Sequence, residues 1–193
     1  MTDQDRYEIR FGGSGGQGII LAAIVMAEAA GIYEGKHVCQ TQSYGPEARG
    51  GASKAEVVIS NEVIDYPKAL RPNLFLSMSQ ASCDAYGADL TPDGLAVVDE
   101  TLVRHRPHAR VAAIPFTRIA REKCGTEVVA NMVALGAVGH LCRLVKPKSL
   151  EKALLARAPK GTEEVNLKAL RAGVRAAKKI DISALPAPAG EED

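Results

Sequence analysis

The sequence predicts an α/β fold, a single Rossmann-like domain with a mostly parallel sheet covered by helices on both faces. Two observations predict it: a glycine-rich turn joins a strand-like segment to a helix-like segment, and further strand-like segments precede a helix-rich C-terminal part. With 193 residues, 46% of them hydrophobic, the chain can bury one compact core. We expect one domain over residues 1–183 and a mobile C-terminal tail over the Pro-rich and acidic residues 184–193.

Each predicted element follows from its own pattern. Residues 7–11 alternate apolar with charged side chains and lead into glycines, which predicts a first strand. The next segment, residues 19–30, is rich in Ala, Leu and Ile, which predicts a helix that Gly31 ends. Shorter apolar segments predict strands at residues 37–42, 55–60, 74–78, 95–99 and 111–115. Helical patterns predict helices at residues 127–144, 150–157 and 165–179.

Composition and charge narrow the classes of function. A formal net charge of +1 offers no long-range field to attract nucleic acid or an anionic membrane, so we expect neither as a partner. The N-terminal residues show no basic stretch followed by an apolar core, so we expect no secretory signal and a cytoplasmic location. The four cysteines are widely spaced, without the C-x-x-C pair of zinc and iron–sulfur sites, and we expect no metal on this chain.

The most apolar segment, residues 128–145, is predicted to be a buried helix, because polar residues interrupt it too often for a membrane span. Two of its residues, Gly136 and Gly139, would destabilise a helix unless another element packed closely against them. His140 is predicted to be a hydrogen-bonded core or interface residue rather than a catalyst. Since the segment is apolar nearly all round, we also expect it to support a subunit contact.

The glycine run GGSGGQG at residues 12–18 contains a G-x-G-x-x-G pattern between a strand and a helix. Glycines let a ligand approach backbone N–H groups at the positive end of a helix, which favours phosphate or carboxylate. NAD is disfavoured because residues 40–42 lack an acid for the ribose, and a nucleoside triphosphate because no Gly-Lys-Ser/Thr follows. An equally weighted alternative is that the glycines only permit close packing of strand, helix and a neighbouring chain. The candidate cofactor-binding residues are Gly13, Ser14, Gly15, Gly16, Gln17 and Gly18.

A second candidate loop, residues 42–54, combines an aromatic ring, a carboxylate, a guanidinium and several glycines. Arg49 could clamp a carboxylate or phosphate, with Glu47 orienting it. As the loop follows the second strand of a parallel sheet, we expect it on the same carboxyl edge as the glycine run. The alternative is a rigid turn with an internal Glu47–Arg49 ion pair. The candidate cofactor-binding residues are Ser43, Tyr44, Gly45, Pro46, Glu47, Arg49, Gly50 and Gly51.

Four segments together resemble the gamma subunit of 2-oxoacid:ferredoxin oxidoreductases. They are GGSGGQG at 12–18, TQSYGPEARGGASKAEVVIS at 41–60, IDYP at 64–67 and MSQ at 78–80, within a resemblance that spans residues 9–144 and, more loosely, the final helix. The resemblance implies an oxidative decarboxylation in which a 2-oxoacid and coenzyme A yield acyl-coenzyme A, carbon dioxide and reduced ferredoxin. The residues of these motifs favour 2-oxoglutarate as the substrate. Pyruvate, branched 2-oxoacids and indolepyruvate are left open.

The resemblance also implies where the cofactors lie. Thiamine diphosphate and Mg²⁺ would sit between the alpha and beta subunits, and iron–sulfur clusters on beta or on a ferredoxin-like delta subunit, with ferredoxin as the electron acceptor. The gamma domain would complete the assembly and face the coenzyme A and cofactor region, holding no cofactor alone and supplying no catalytic residue. The alternative, from another class, is a free-standing Rossmann-like nucleotide-binding enzyme or sensor.

Overall fold

The computed structural model describes residues 6–43, 51–106 and 110–185. Its six strands are β1 (Arg6–Ser14), β2 (His37–Ser43), β3 (Ala52–Ser60), β4 (Leu74–Ser77), β5 (Leu95–Asp99) and β6 (Arg110–Ile114). Its α-helices are α1 (Ile19–Glu28), α2 (Gln80–Tyr86), α3 (Phe116–Ile119), α4 (Ala130–Cys142), α5 (Pro147–Arg157) and α6 (Glu163–Ala177). Wider π-helical turns extend α1 and α3, over Ala29–Tyr33 and Ala120–Cys124, and short 3₁₀ turns lie at Glu127–Val129 and Ile182–Ala184.

The six strands form one sheet in the order β2-β3-β1-β4-β5-β6. Strands β1, β4, β5 and β6 are parallel, whereas β3 runs antiparallel to both of its neighbours, β1 and β2. The predicted mostly parallel α/β sheet is therefore confirmed. The end at which β1, β4, β5 and β6 finish is called the carboxyl edge below, and the opposite end the amino edge.

One face of the sheet carries the main hydrophobic core. Ile9 and Phe11 of β1 point to this face and pack in the same buried cluster as α1, α4, α5 and α6. The other face carries α2 and a smaller buried cluster around Cys83, Val98 and Val103. The sheet is thus covered on both faces, as predicted.

Helix α4 is the centre of the helical layer, and every one of its residues except His140 is buried. A Cβ built on Gly136 would collide with the backbone carbonyl of Leu170, and one built on Gly173 of α6 would collide with that of Val133. The close packing predicted for Gly136 is therefore real, and its partner is α6. Helices and strands of the same chain cover the apolar faces of this helix, and the expected subunit contact along it stays a prediction.

The ends of two segments differ from their predictions. Gly31 does not end the first helix, which continues as a π-helical turn to Tyr33; the left-handed residue that follows is Gly35, with a φ of 69°.

Helices α2 and α3 were not predicted, since seven and four residues are too short for a clear apolar period. At the C-terminal end, Leu185 still packs against the core. Residues 186–193 lie outside the described residues, so the tail stays a prediction.

Candidate functional site

The glycine run lies at the carboxyl edge, but it is divided between a strand and a turn. Its first three residues complete β1, and the chain turns at residues 15–17 before α1 begins. The turn is closed by Gln17, whose backbone N–H donates to the Ser14 carbonyl over 3.1 Å and whose Oε1 accepts from the Ser14 N–H over 2.7 Å. Gly16 and Gly18 have φ values of 89° and 72°, which are strained for any residue with a side chain.

The glycines of this turn divide into a packed group and an open group. A Cβ on Gly13 would lie 2.8 Å from the Gln17 Oε1 and the Ile19 Cγ2, and one on Gly18 would collide with the Asn131 amide. The Asn131 Nδ2 donates to the Gly18 carbonyl over 3.1 Å, which fixes the turn to the start of α4. Gly15 and Gly16 are exposed, and no atom would lie within 4 Å of a Cβ on either. Close packing therefore explains Gly13 and Gly18 but not the open pair.

The amino terminus of α1 presents unused backbone donors beside this open pair. No side chain caps the helix, and its first backbone bond runs from the Ala22 N–H to the Gly18 carbonyl over 3.1 Å. The preceding N–H groups of a helix have no partner within the helix, and they carry the positive end of its dipole. An anionic group placed over Gly15 and Gly16 would meet these donors.

A second turn on the carboxyl edge, between β4 and α2, is fixed to the first. The Gln17 Nε2 donates to the Met78 carbonyl over 2.8 Å, and the Met78 N–H donates to the Gly12 carbonyl over 2.9 Å. Ser79 caps α2 by accepting from the Ser82 N–H. The side chain of Gln80 accepts from the N–H groups of the connection after β5 and donates to its His105 carbonyl over 2.9 Å. The segment MSQ, singled out in the sequence, thus joins three turns of the edge.

The second candidate loop starts and ends beside the glycine turn. Ser14 pairs with Ala52, and Ser43 pairs with Lys54, so the β2–β3 connection emerges at the carboxyl edge as expected. The route differs from the expected one, because β2 and β3 form an antiparallel hairpin instead of successive parallel strands. Ser43 and Gly51 are described, whereas the predicted site residues Tyr44, Gly45, Pro46, Glu47, Arg49 and Gly50 lie outside the described residues.

A groove of about 300 Å³ lies next to this hairpin. The Lys54 Nζ lies 3.2 Å from Glu56 Oε1 and 5.5 Å from the centre of the Tyr86 ring, which holds the ammonium at the groove wall. Glu56 also pairs with Arg10, at 2.9 Å, so Lys54 is not its only cationic partner, and Lys68 adds a further positive charge to the groove. The site residues predicted from the sequence did not include Lys54 or Lys68, which only the fold brings together. The lining residues are Thr41, Gln42, Ser43, Lys54, Glu56 and Lys68.

Two further observations concern the described part of the chain. Residues 6–43, 51–106 and 110–185 contain no group of three His, Cys, Asp or Glu side chains that could hold a metal ion. None of the described helices is long and apolar enough to cross a membrane.

The fold defines a Rossmann-like α/β domain with an exposed glycine turn before its first helix, and comparison with known proteins identifies its family. The family model described as "Pyruvate ferredoxin/flavodoxin oxidoreductase" matches residues 8–176, and the chain belongs to this family. The resemblance to a gamma subunit of the 2-oxoacid:ferredoxin oxidoreductases is confirmed.

Three relatives illustrate this membership. The chain is 50% identical over 179 residues to the 2-oxoglutarate synthase subunit KorC of Methanocaldococcus jannaschii, covering 91% of this chain and 96% of the relative. It is 46% identical to KorC of Methanothermobacter marburgensis, covering 87% and 95%. The solved gamma subunit of a keto/oxoacid ferredoxin oxidoreductase from Geobacter sulfurreducens is 45% identical, with a TM-score of 0.81, covering 90% of this chain and 99% of that chain.

Proposed function

We propose that this chain is the gamma subunit of a 2-oxoglutarate:ferredoxin oxidoreductase and that its carboxyl edge contacts coenzyme A. The complex would convert 2-oxoglutarate and coenzyme A to succinyl-coenzyme A and carbon dioxide, with the electrons passing to ferredoxin. The choice of 2-oxoglutarate is supported by the two KorC relatives, which are 50% and 46% identical. In this proposal, thiamine diphosphate and Mg²⁺ would lie between the alpha and beta subunits, and the iron–sulfur clusters on beta or on a ferredoxin-like delta subunit.

The observation that carries the coenzyme A contact is that two sets of anion donors lie at the carboxyl edge, one on each face of the sheet. Gly15 and Gly16 are exposed beside the uncapped start of α1, and the groove with Lys54 and Lys68 lies by the neighbouring hairpin. Coenzyme A carries several phosphates, which such backbone and ammonium donors suit. Arg49, in the hairpin loop outside the described residues, would add a guanidinium to the same edge. The proposed role of this chain is to bind and orient coenzyme A, and it supplies no catalytic residue.

Assembly tests the subunit assignment. Co-expression of this chain with its alpha and beta chains should yield one complex in size-exclusion chromatography that forms succinyl-coenzyme A and reduces ferredoxin. A chain that remains a monomer in their presence would contradict the assignment. Titration calorimetry of the isolated chain with NAD and ATP tests the rival hypothesis, a free-standing nucleotide-binding protein. Tight binding of either nucleotide would favour that hypothesis.

A double substitution tests the coenzyme A contact separately. Lys54→Gln with Lys68→Gln removes two charge-assisted donors from the groove, so the KM for coenzyme A in the assembled complex should rise about tenfold or more. The KM for 2-oxoglutarate should stay unchanged. The matched control is Lys36→Gln, since the Lys36 Nζ donates to the Asn61 Oδ1 over 2.9 Å at the amino edge, away from the groove. An unchanged KM for coenzyme A would reject this contact while leaving the subunit assignment intact.

A further inference from the structure

A second cavity, of about 530 Å³, lies at the amino edge of the sheet. Its position follows from the topology, because β6 runs parallel to β1 and the cavity is lined by the first residue of β6 and the end of α4. The start of α4 contacts the glycine turn through Asn131, and its 13 residues span roughly 20 Å, so the cavity is separate from the carboxyl edge. The lining residues are Arg110, His140, Leu141, Arg143, Ile180, Asp181, Ile182 and Ser183.

Arg110 lines this cavity and has one unpaired donor. Its Nη2 donates to the Ile182 carbonyl over 2.7 Å, which holds the guanidinium in place. Its Nε is buried and has no hydrogen-bond partner, the only such side-chain nitrogen or oxygen among the described residues. A buried donor without a partner is costly, so a small rotation of the guanidinium that brings the Nε to an acceptor atom bound in the cavity would be favourable.

Arg143 lines the same cavity in an unfavourable backbone conformation. Its φ is 55°, and among the described residues it is the only residue other than glycine with a positive φ. It follows the last residue of α4, where glycine is the usual residue because it adopts this left-handed conformation without strain. An arginine here therefore costs stability that a glycine would not, and strain of this kind concentrates at functional positions.

The charges around the cavity are mostly positive. The pKa of His140 is lowered by burial and by the nearby charges of Lys178 and Arg143, so the ring is neutral at pH 7 and can donate one N–H. One carboxylate, that of Asp181, also lines the cavity. Its Oδ1 accepts from the Ser183 N–H over 3.0 Å and from the Ser183 hydroxyl over 2.5 Å, which engages it in the Ile182–Ala184 turn.

Cations near a helix C-terminus also compensate the negative end of the helix dipole, and this effect accounts for part of the pattern. It applies to His140 and Arg143, which lie at the end of α4, and to Lys178 at the end of α6. It does not account for Arg110, which starts a strand and whose Nε has no partner.

We propose that this cavity binds a phosphate group, with Arg110 and Arg143 as its charged donors and His140 as a neutral one. Arginine suits this ligand because its fork of N–H groups matches the oxygen atoms of a phosphate, whereas a single carboxylate group would leave more of these donors unpaired. The group comes from inorganic phosphate or from a phosphate monoester, and the volume of about 530 Å³ admits either. This site is separate from the proposed coenzyme A contact and does not depend on it.

Titration calorimetry tests the site on the full chain, with inorganic phosphate and with glycerol phosphate as probes, chloride being used to hold the ionic strength constant. We expect saturable binding of at least one probe, and the tighter of the two identifies the free ion or the ester as the ligand. Absence of saturable binding of both probes would overturn the proposal.

The variant Arg143→Gly separates binding from folding. Glycine relieves the left-handed strain, so the Tm should stay the same or rise, while phosphate affinity should fall tenfold or more. Arg110→Gln should also lose affinity. The control is Arg118→Gln, whose side chain is 57% exposed and lies 3.7 Å from Glu100, and it should bind phosphate like the natural chain. Unchanged affinity in Arg143→Gly, or an equal loss in Arg118→Gln, would reject the site.

Discussion

The two faces of the sheet are stabilised in different ways. The face under α1, α4, α5 and α6 is packed almost entirely with apolar side chains. The opposite face of β1 carries Glu8 and Arg10, which are only 7% and 4% exposed. Arg10 Nε donates to Glu56 over 2.9 Å, its Nη1 pairs with Asp89, and its Nη2 donates to the Ala69 carbonyl over 3.2 Å. The stability of the first face depends on apolar packing, whereas that of the second face depends also on specific paired charges.

This difference explains why the groove lined by Lys54 and Lys68 lies on the second face, which is called the charged face below. Arg6 Nη1 and Nη2 donate to the carbonyls of Tyr66 and Lys68, each over 2.9 Å, so buried or half-buried arginines hold the connection between β3 and β4 against the sheet. That connection supplies Lys68 to the groove, while Glu56 links Arg10 to Lys54 at the groove wall. An apolar face would pack as tightly but would place no charges at fixed positions.

The largest loss of stability is expected from a substitution on the charged face. Arg10→Met leaves the buried carboxylate of Glu56 without its principal partner, and we expect the free energy of unfolding to fall by about 3–5 kcal/mol. Urea denaturation measures this change in the free energy of unfolding. Arg10→Met with Glu56→Met replaces both charges by apolar groups and should recover most of the loss. If the double variant is no more stable than Arg10→Met alone, the two charges do not act as a pair.

A smaller loss is expected when the close packing of the apolar face is broken. Gly173→Ala forces α6 away from the Val133 carbonyl, which should lower the free energy of unfolding by about 1–3 kcal/mol. The matched control is Gly15→Ala, since no atom would lie within 4 Å of the added methyl group. Thermal denaturation that fails to separate these two variants would show that α4 and α6 can move apart without cost.

The smallest effect concerns a polar contact on the helical side, and it depends on pH. Glu34 accepts from the Ser149 hydroxyl over 2.5 Å and from the Lys146 N–H over 3.0 Å, and these bonds lower its pKa from 4.5 to about 2. Because the folded pKa is the lower one, the stabilisation is present above pH 4.5 and is lost as the pH falls towards 2.

The test compares the natural chain with Glu34→Gln across this pH range. Glu34→Gln should have a lower Tm than the natural chain at pH 7, and the two Tm values should converge between pH 4.5 and 2. A Tm difference that stays constant over this range would show that the charge of Glu34 does not stabilise the fold.

Local sequence patterns predicted most elements but not their arrangement. The strand at residues 95–99 was predicted with its observed bounds, because a short apolar run between polar residues has one local interpretation. Helix α2 was missed, since its start depends on Ser79 and on contacts of Gln80 with residues 24 and 25 positions away. For the candidate site, the glycine turn was located from the sequence, whereas Lys68 was not.

By itself, the sequence determined the features that depend on neighbouring residues: the alternation of β1, the turn at Gly16 and Gly18, and the family motifs around them. Only the tertiary structure decided the antiparallel position of β3, the ion pair of Arg10 with Glu56, 46 residues apart, and the joining of Lys54 to Lys68 in one groove. The physical reason is that backbone conformation and apolar period act over a few residues. Strand order and buried charge pairs instead depend on which distant segments pack together.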